Sequence, residues 1–326
     1  MREVTIRLES WPLREVFRIS RGAYTEITVV VVEISEGQAI GRGECRPYSR
    51  YGETSRGVVA EIEALVPKLR DGLGRDELNA ILPPGSARNA IDCALWDLSS
   101  KQTGQPVWQL AGLPPPTPLA TAYTLSVDTP ENMALAAGKQ AWRPVLKLKL
   151  AGGDDLERVV AVRANAPKAR LLVDANEAWT LADYQTLAPE LARLGVEMLE
   201  QPFPSGGDQC LATLLKTLPV CADESSHASA GLKDLVGLYD AVNIKLDKTG
   251  GLTEALRMKA QAEALGFKVM VGCMVATSLS MAPAFLLAQN AAYVDIDGPL
   301  LLEQDRQPGL IYEGSQVYPP TSELWG

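Results

Sequence analysis

The pattern of hydrophobic and polar positions changes near residue 113 and divides the chain into two parts. The first part alternates in the manner of strands and then repeats at helical spacing. Strands are predicted over residues 4–8 and 27–34, and helices over residues 58–69 and 90–98. Ser55 precedes the first of these helices and is the expected N-cap. We therefore expect residues 1–113 to form an α+β domain.

Beyond a proline-rich break at residues 113–116, short apolar runs alternate with amphipathic segments. Eight strands are predicted, over residues 119–125, 145–149, 171–174, 197–200, 220–223, 241–245, 268–272 and 293–297. Helices are expected in the gaps between them, for example over residues 181–194 and 253–265. This alternation indicates a (β/α) barrel of the TIM type over residues 114–302. The remaining tail, residues 303–326, is expected to pack on the first domain.

One stretch without charge, residues 269–294, is long enough to cross a bilayer. Its apolar run is interrupted by Gly272, Pro283 and several Ser, Thr, Asn and Gln residues. We therefore expect a buried strand followed by a buried helix.

The charge of the chain argues against several classes of partner. Lysine and arginine number 31 against 40 aspartates and glutamates, which gives a net charge of −9 at pH 7. An acidic chain without a basic run is a poor ligand for nucleic acids and for anionic membrane surfaces. We therefore expect a small-molecule substrate and no nucleic-acid or membrane partner. Self-association into a homo-oligomer is left open.

Histidine and cysteine narrow the chemistry further. His227 is the one histidine of the chain, which excludes multi-histidine metal sites and argues against a Ser-His-Asp triad. A metal should therefore be a hard cation held by carboxylates, and a general base should be Lys, Asp, Glu, Tyr or Cys. The five cysteines are scattered with no Cys-x-x-Cys pair, and the first residues lack the apolar core of a signal peptide. A cytoplasmic protein is therefore expected.

Most of the predicted barrel strands end in charged residues, and the acids of three successive strands are the strongest candidates for a metal site. Asp174, Glu200 and Asp223 end the third, fourth and fifth strands, one βα unit apart. Because the carboxyl ends of the strands form the mouth of such a barrel, these carboxylates should lie side by side. A divalent cation would relieve their repulsion, and this ligand set suits Mg²⁺, with Mn²⁺ as a substitute. Each acid could instead cap the following helix or pair with a lysine.

Three lysines are predicted at the same mouth. Lys147 and Lys149 lie two apart on the second strand and share the face that points into the barrel, and Lys245 ends the sixth strand. Burial and a nearby dication would lower the pKa of such a lysine and suit it to act as a base. Asp247 could orient Lys245, whereas Lys248 has the opposite parity and is expected to point outward. The lysines could also serve as ion-pair partners of the barrel acids.

The second and sixth strands face each other across an eight-stranded barrel, with the three acids on the arc between them. A substrate held there would have a lysine on each side of its reacting carbon. One lysine would remove a proton and the other would return a proton to the opposite face, which inverts a stereocentre.

Asp295 and Asp297 share one face of the eighth strand, across the mouth from the fourth strand. Two aspartates at the far end of a substrate would attract a cation such as a free amino group. The sequence therefore favours a zwitterionic substrate longer than one amino acid. A helix cap or a surface pair of acids would give the same spacing.

Together these motifs resemble the enolase superfamily and, within it, the muconate-lactonizing subgroup. The matching motifs are Lys-x-Lys at 147–149, Asp-Ala-Asn at 174–176, Glu-Gln-Pro at 200–202, Ala-Asp-Glu-Ser at 222–225 and Asn-Ile-Lys-Leu-x-Lys-x-Gly-Gly at 243–251. The Asp-x-Asp at 295–297 is similar to that of the dipeptide epimerases of this subgroup, in particular the L-Ala-D/L-Glu epimerases. The resemblance covers essentially the whole chain, including residues 43–45, 50–53 and 87–97 of the first domain.

The resemblance implies a (β/α)7β barrel, a modified TIM barrel, with an N-terminal α+β capping domain. The acids of the third, fourth and fifth strands would bind one Mg²⁺ per chain. Lys149 and Lys245 would be the two acid/base catalysts, and Lys147 would help to stabilise an enolate. Asp295 and Asp297 would hold the amino group of a dipeptide. Enolase-superfamily sites use a Lys or His base, and the shortage of histidine here selects lysine.

Loops of the capping domain close over the barrel mouth in this superfamily. Arg21 falls where the first loop is expected, and we hypothesise that it pairs with the side-chain carboxylate of a glutamate; a surface arginine is the alternative. Tyr51 belongs to the second loop. Thr124, near the end of the first barrel strand, could hydrogen-bond the substrate or pack the strand end. His227 lies just past Asp223 and is assigned no catalytic role.

We therefore predict a Mg²⁺-dependent epimerase that inverts the glutamate α-carbon of L-Ala-L/D-Glu, a dipeptide of murein metabolism. Other reactions of the same barrel are alternatives, namely those of muconate cycloisomerase, o-succinylbenzoate synthase and N-acylamino-acid racemase. Asp295 and Asp297 argue against them, because those substrates carry no free amine. A non-catalytic binding protein on this fold would have no need of both lysines and all three acids.

Overall fold

The computed structural model describes all 326 residues and begins with a three-stranded antiparallel sheet. Its strands are β1 (Glu3–Ile19), β2 (Gly22–Glu36) and β3 (Ala39–Cys45). β1 and β2 pair along almost their whole length, with an irregularity between Pro12 and Phe17. The long hairpin carries its turn to the second domain, where Ser20 Oγ donates to the carbonyl oxygen of Asn176 over 2.9 Å.

Two helices pack on this sheet, α1 (Ser55–Arg70) and α3 (Ser86–Thr103), and α2 (Arg75–Ile81) packs on α3. The N-cap of α1 is Thr54, whose side chain accepts a hydrogen bond from the amide of Gly57. Ser55, the predicted cap, is wrong, because the extended backbone that a cap requires occurs at Thr54. α3 lies directly on β3, where a Cβ atom at Gly43 would stand 2.1 Å from the carbonyl oxygen of Ala90.

The second domain is an eight-stranded parallel sheet whose spatial order follows the chain. After β4 (Leu119–Ala120), its strands are β5 (Tyr123–Leu125), β6 (Val145–Lys149), β7 (Arg170–Asp174), β8 (Val196–Glu200), β9 (Val220–Ala222), β10 (Ala241–Ile244), β11 (Lys268–Gly272) and β12 (Tyr293–Asp295). The amide of Ala122 donates to the carbonyl oxygen of Val294 over 2.9 Å, which brings the two edges together. The sheet is thus a nearly closed barrel, and the predicted fold class is confirmed. The predicted strand 119–125 is split into β4 and β5.

Helices fill most of the gaps between the barrel strands. These helices are α5 (Pro130–Lys139), α6 (Asp155–Asn165), α7 (Leu181–Arg193), α8 (Leu246–Thr249), α9 (Leu252–Ala264) and α10 (Ser278–Leu287). The short helix α4 (Val107–Leu110) precedes the barrel, and α11 (Gly298–Leu301) follows its last strand. The connections after β8 and β9 hold only 3₁₀ turns, at Gln209–Ala212 and Ser229–Leu235, so the expectation of an α-helix in every gap is wrong there. The first of these gaps contains Pro204, Gly206 and Gly207, which oppose helix formation.

The uncharged stretch 269–294 forms most of β11 and the wholly buried helix α10, as expected. No helix in the structure has both the length and the apolar character needed to cross a membrane.

The C-terminal tail contacts both domains. Its strands β13 (Tyr312–Glu313) and β14 (Gln316–Val317) form a small antiparallel sheet with β4. Near its end, Trp325 Nε1 donates to the carbonyl oxygen of Cys93 in α3 over 3.0 Å. The proposed domain limits, 1–113 with 303–326 and 114–302, therefore stay a prediction.

A buried ion cluster fastens the tail to the first sheet and to the barrel. Arg306 donates to the carboxylate of Glu44 over 2.7 Å and to the hydroxyl of Thr277 over 2.7 Å, and it also pairs with Glu9. Glu44 is fully enclosed, and burial raises its pKa in spite of the charge of Arg306. The cluster therefore supplies the cation that this buried carboxylate needs.

Two glycines should respond in opposite ways to the same substitution. Gly43→Ala places a methyl group against the backbone of α3 and should lower the free energy of unfolding by roughly 3 kcal/mol. Gly138→Ala, inside α5 where nothing lies within 4 Å of the new carbon, should raise it by about 0.5–1 kcal/mol. Urea denaturation of both variants measures the difference, and equal effects would contradict the close packing of α3 on β3.

Candidate active site

Three carboxylates meet at the carboxyl ends of neighbouring barrel strands. Asp174 ends β7, Glu200 ends β8 and Asp223 follows β9. Their oxygens lie within 4.8 Å of one another and all three residues are buried. The structure thus brings together the acids that the sequence proposed as metal ligands.

The lysines of β6 point into the barrel beside these acids. Lys147 Nζ lies 2.7 Å from an oxygen of Glu200 and 2.7 Å from an oxygen of Asp295. Lys149 Nζ lies 2.6 Å from an oxygen of Asp174. The alternation of β6 explains the placement, since its intervening leucines pack outward in the hydrophobic core.

A second pair of lysines holds Asp223. Lys245 Nζ lies 2.7 Å from one carboxylate oxygen and Lys248 Nζ lies 2.6 Å from the other. Lys248 also donates to the carbonyl oxygens of Asp223 and Asn243, and its side chain has no exposed surface. The expectation that Lys248 points outward is therefore wrong. Strand alternation ends at Ile244, and the helical turn of α8 brings Lys248 back to the same carboxylate.

Asp247 does not contact Lys245, so the expectation that it orients this lysine is also wrong. Its carboxylate accepts hydrogen bonds from the amide of Arg46, over 3.0 Å, and from the side chain of Asn89, over 2.8 Å. Both donors belong to the capping domain. Burial raises the pKa of Asp247 to about 7. Asp247 therefore joins the barrel to the cap.

The electrostatics of the mouth follow from close packing of opposite charges. Burial raises the pKa of Asp223, but Lys245 and Lys248 outweigh it and hold that pKa well below its usual value. Burial likewise lowers the pKa of Lys147 and Lys245, as expected, but the surrounding carboxylates outweigh it and raise both well above the usual value. The expectation of a lowered lysine pKa also relied on a bound dication, and it stays a prediction.

Glu200 is the metal-site acid with a carboxylate oxygen that accepts no hydrogen bond. Burial and the charge of Asp174 raise the pKa of Glu200 to about 7. Asn243 donates to its Oε1 over 2.7 Å. Its Oε2 lies 2.7 Å from Lys147 Nζ but accepts no well-directed hydrogen bond. A buried oxygen in this state favours a further cation.

The other end of the mouth holds the second acid pair. Asp295 Oδ2 pairs with Lys147, whereas Asp297 Oδ2 accepts a hydrogen bond from the amide of Thr124 over 2.6 Å. Thr124 Oγ1 lies 3.4 Å from Asp295 Oδ1, so Thr124 contacts both acids. Burial and the charge of Asp295 raise the pKa of Asp297 to about 7. Asp297 is therefore the member of the pair without a cationic partner.

Segments of the capping domain cover the mouth and leave a cavity of about 50 Å³. Arg21 and Tyr51 line it together with Lys149, Asp223 and Lys245. Arg21 reaches the cavity from the turn of the β1–β2 hairpin with its side chain 25% exposed, so its contact with a substrate stays a prediction.

The covering residues are themselves tied to the barrel. Arg21 donates to the buried carboxylate of Glu224 over 2.6 Å, a partner that sequence reasoning did not identify. The ring of Tyr51 meets the ring of His227 edge to face at 4.6 Å. A ring nitrogen of His227 lies 3.0 Å from the carbonyl oxygen of Glu224, and burial lowers the pKa of His227. His227 thus supports the covering segment and does not line the cavity.

Both parts of the chain match known protein families. Residues 1–112 match the mandelate racemase/muconate lactonizing enzyme N-terminal domain, and residues 132–323 match the enolase C-terminal domain-like family.

Curated relatives extend over nearly the full length. The L-Ala-D/L-Glu epimerase of Escherichia coli K12 is 46% identical over 98% of this chain and 100% of its own length. The N-acetyl-D-glutamate racemase of a Pseudoalteromonas species is 42% identical over 91% of this chain and 95% of its own.

Two solved structures are also similar to this chain over nearly its whole length. An enolase family member from Agrobacterium tumefaciens, with homology to dipeptide epimerases, holds sodium and L-Ala-L-Glu; it is 50% identical over the whole of both chains, with a TM-score of 0.99. A dipeptide epimerase from Enterococcus faecalis, solved with Mg and L-Leu-L-Tyr, is 30% identical over 97% of this chain and 96% of its own, with a TM-score of 0.90.

Removal of the Lys248 ammonium should destabilise the fold. Lys248→Met leaves Asp223 with one lysine fewer and two carbonyl oxygens without their donor, so we expect unfolding to become easier by about 3 kcal/mol. Urea denaturation in the presence of a chelator measures this without compensation by a bound cation. Lys168→Met, at an exposed position, is the control and should change stability by less than about 0.5 kcal/mol. Equal stability of the two variants would contradict the role of Lys248.

Proposed function

The chain belongs to the mandelate racemase/muconate lactonizing enzyme family of the enolase superfamily and is a homologue of L-Ala-D/L-Glu epimerase, and we propose that it interconverts L-Ala-L-Glu and L-Ala-D-Glu. The observation that carries the proposal is the enclosed mouth. Three buried carboxylates lie between Lys149, at the end of β6, and Lys245, just after β10, four strands away. This arrangement can hold a carboxylate substrate with a proton-transfer group on each side of its α-carbon.

The three acids fit a divalent metal ion. Asp174, Glu200 and Asp223 offer oxygen ligands at close range, and the unsupported Oε2 of Glu200 favours a cation. We assign one Mg²⁺ to them, with Mn²⁺ as a substitute for the same ligands. When bound, the metal would polarise the substrate carboxylate and stabilise the negative charge that develops as the α-proton leaves.

The lysines carry the proton transfer. In one direction Lys149 or Lys245, as the neutral amine, takes the α-proton, and the other lysine, as the ammonium, gives a proton to the opposite face. The configuration is inverted, and the two lysines exchange protonation states. Lys147, 2.7 Å from both Glu200 and Asp295, would remain an ammonium throughout and stabilise the enolate.

The ends of the dipeptide meet opposite charges in the proposal. Asp297, which has no cationic partner, would receive the amino group, with Asp295 and Thr124 beside it. Arg21 would pair with the side-chain carboxylate of the glutamate, and Tyr51 would cover it. A cytoplasmic location and a role in murein peptide metabolism belong to the same proposal. The charges at the mouth, with Arg21 at one end and Asp295 and Asp297 at the other, support a substrate that carries both signs of charge.

A second candidate is racemisation of an N-acylglutamate. It is favoured by the similarity to the Pseudoalteromonas racemase and by the raised pKa of Asp297, since a neutral carboxylic acid could donate to an acyl oxygen. The two reactions share the glutamate and the proton chemistry and differ at the amino group.

Isotope exchange tests the proposed reaction. With L-Ala-L-Glu and Mg²⁺ in D₂O, the protein should place deuterium on the glutamate α-carbon and yield both epimers, as followed by proton NMR and chiral chromatography. Lys149→Met and Lys245→Met should each lower epimerisation by at least about 10³-fold while Mn²⁺ affinity is retained. An active Lys245→Met protein would contradict the two-base scheme, and no exchange with any dipeptide of a library would refute the epimerase.

Binding of the amino group by Asp297 should make the activity toward the dipeptide depend on pH. Asp297 must be ionised to hold an ammonium, and its pKa is about 7, so kcat/KM for L-Ala-L-Glu should fall about tenfold for each unit of pH below 7. With saturating Mg²⁺, which keeps Glu200 ionised, the loss should lie in KM and should be absent for N-acetyl-L-glutamate, which has no amine. If the acetylated compound reacts better than the dipeptide at pH 8, the N-acylglutamate racemase replaces the epimerase.

A further inference from the structure

One acid outside the metal cluster joins both covering segments to the barrel. Glu177 follows β7, three residues beyond Asp174, and its side chain is 8% exposed. Arg50 donates to both of its carboxylate oxygens, over 2.8 Å and 2.7 Å. Arg21 donates to one of them over 3.1 Å, and the amide of Ser205 donates to the other over 2.7 Å. Glu177 therefore accepts four hydrogen bonds from three separate segments.

The backbone at this point is held in an unusual conformation. Asn176 and Glu177 have positive φ angles of 44° and 67°, which L-residues adopt at a cost in free energy. The bend turns the carbonyl oxygen of Asn176 toward the hairpin, where Ser20 and Arg21 both donate to it. Two left-handed residues in succession thus present a carbonyl and a carboxylate to the same guanidinium.

These contacts fix Arg21 through its outer nitrogens. Nη1 donates to Asn176 and Glu177, and Nη2 donates to Glu224 and, over 3.3 Å, to the hydroxyl of Tyr48. The Nε donor makes no hydrogen bond. A guanidinium held in this way keeps Nε as its one free donor for a carboxylate and loses little conformational freedom when it binds one.

Arg50 shares Glu177 with Arg21, whose closer acid is Glu224 at 2.6 Å. The bidentate contact of Arg50 takes both carboxylate oxygens of Glu177 at shorter distances than the contact of Arg21. The acid is therefore shared between two cations, and the positive charge of Arg21 is only partly compensated on that side. Arg50 lies on the 3₁₀ turn Ser49–Tyr51, so the same contact holds Tyr51 over the cavity.

We infer that Glu177 is a positioning residue that sets Arg21 for the side-chain carboxylate of the glutamate and holds the two covering segments closed. The inference rests on the proposed function, because it assigns Glu177 to the recognition of that substrate. Glu177 touches neither the metal ligands nor the reacting carbon, and it acts through Arg21 and Arg50.

The test compares two glutamates that make the same kind of contact. Glu177→Gln keeps the size of the side chain but removes the charge shared by the arginines. Glu197→Gln is the matched control, because Glu197 also accepts a bidentate contact, from Arg170, at the opposite ends of the barrel strands. We expect Glu177→Gln to lower kcat/KM for L-Ala-L-Glu roughly ten- to a hundredfold, mostly through KM, and Glu197→Gln to leave it unchanged.

Two further measurements separate positioning from damage to the fold. Mn²⁺ affinity, measured by calorimetry, should stay within about twofold of the wild-type value in Glu177→Gln, because the side chain of Glu177 binds Arg21, Arg50 and Ser205 and none of the metal-ligand acids. In an Arg21→Met background the effect of Glu177→Gln on KM should largely disappear, since its target is gone. Arg50→Met, which leaves residue 177 intact, should raise KM as well.

The outcomes distinguish this inference from the proposed function. Wild-type protein that fails to exchange the α-proton of any dipeptide would refute the function. If the wild-type protein is active and Glu177→Gln has the same kcat/KM as Glu197→Gln, the inference is overturned and the proposed function stands. An additive effect in the Arg21→Met background, or a loss of Mn²⁺ affinity in Glu177→Gln, would also overturn it, because either would mean that Glu177 does not act through Arg21.

Discussion

The barrel mouth holds more charge than a protein interior tolerates unless each charge has a partner. Four lysines lie buried among five carboxylates, those of Asp174, Glu200, Asp223, Asp295 and Asp297. The two acids that lack a lysine hydrogen bond, Glu200 and Asp297, are also those whose pKa is raised to about 7. These are the two positions at which the proposed function brings in a positive charge, a metal ion at one and the amino group of a dipeptide at the other.

The capping domain depends on the same balance of charge. The hairpin of β1 and β2 reaches the mouth because its strands pair over most of their length, and Gly43 lets α3 lie flat on the sheet behind it. At the mouth, its arginine meets acids from the loops after β7 and β9. Asp247 attaches the barrel to the capping domain without an ion pair, since its carboxylate accepts hydrogen bonds from the amide of Arg46 and the side chain of Asn89. The cover is thus attached by groups that are separate from the proposed catalytic lysines.

The periodicity of the sequence predicted the barrel and the acid cluster, because parallel strands deliver one side chain each to a common edge. The same rule failed for Lys248, since it extended strand alternation past Ile244 into a helical turn. It gave no sign of Glu177 or Glu224, whose roles depend on where a hairpin more than 150 residues away comes to rest. The pattern also could not predict that carboxylates raise the pKa of Lys147 and Lys245, because this effect depends on distances between charges. Local pattern therefore specifies the strand ends, and tertiary contacts specify their partners.

The cluster around Arg306 bears on the order in which the molecule can be completed during synthesis. Glu44 lies near the start of the chain, and its buried carboxylate finds its cation 262 positions later. Until that segment has been synthesised, the carboxylate of Glu44 has Thr277 as a donor but lacks its cation, so burying it costs free energy that Arg306 later offsets. Trp325, which comes still later in the chain, donates a hydrogen bond to a carbonyl oxygen of α3. The N-terminal domain, although translated first, therefore owes two of its buried contacts to the last segment of the chain.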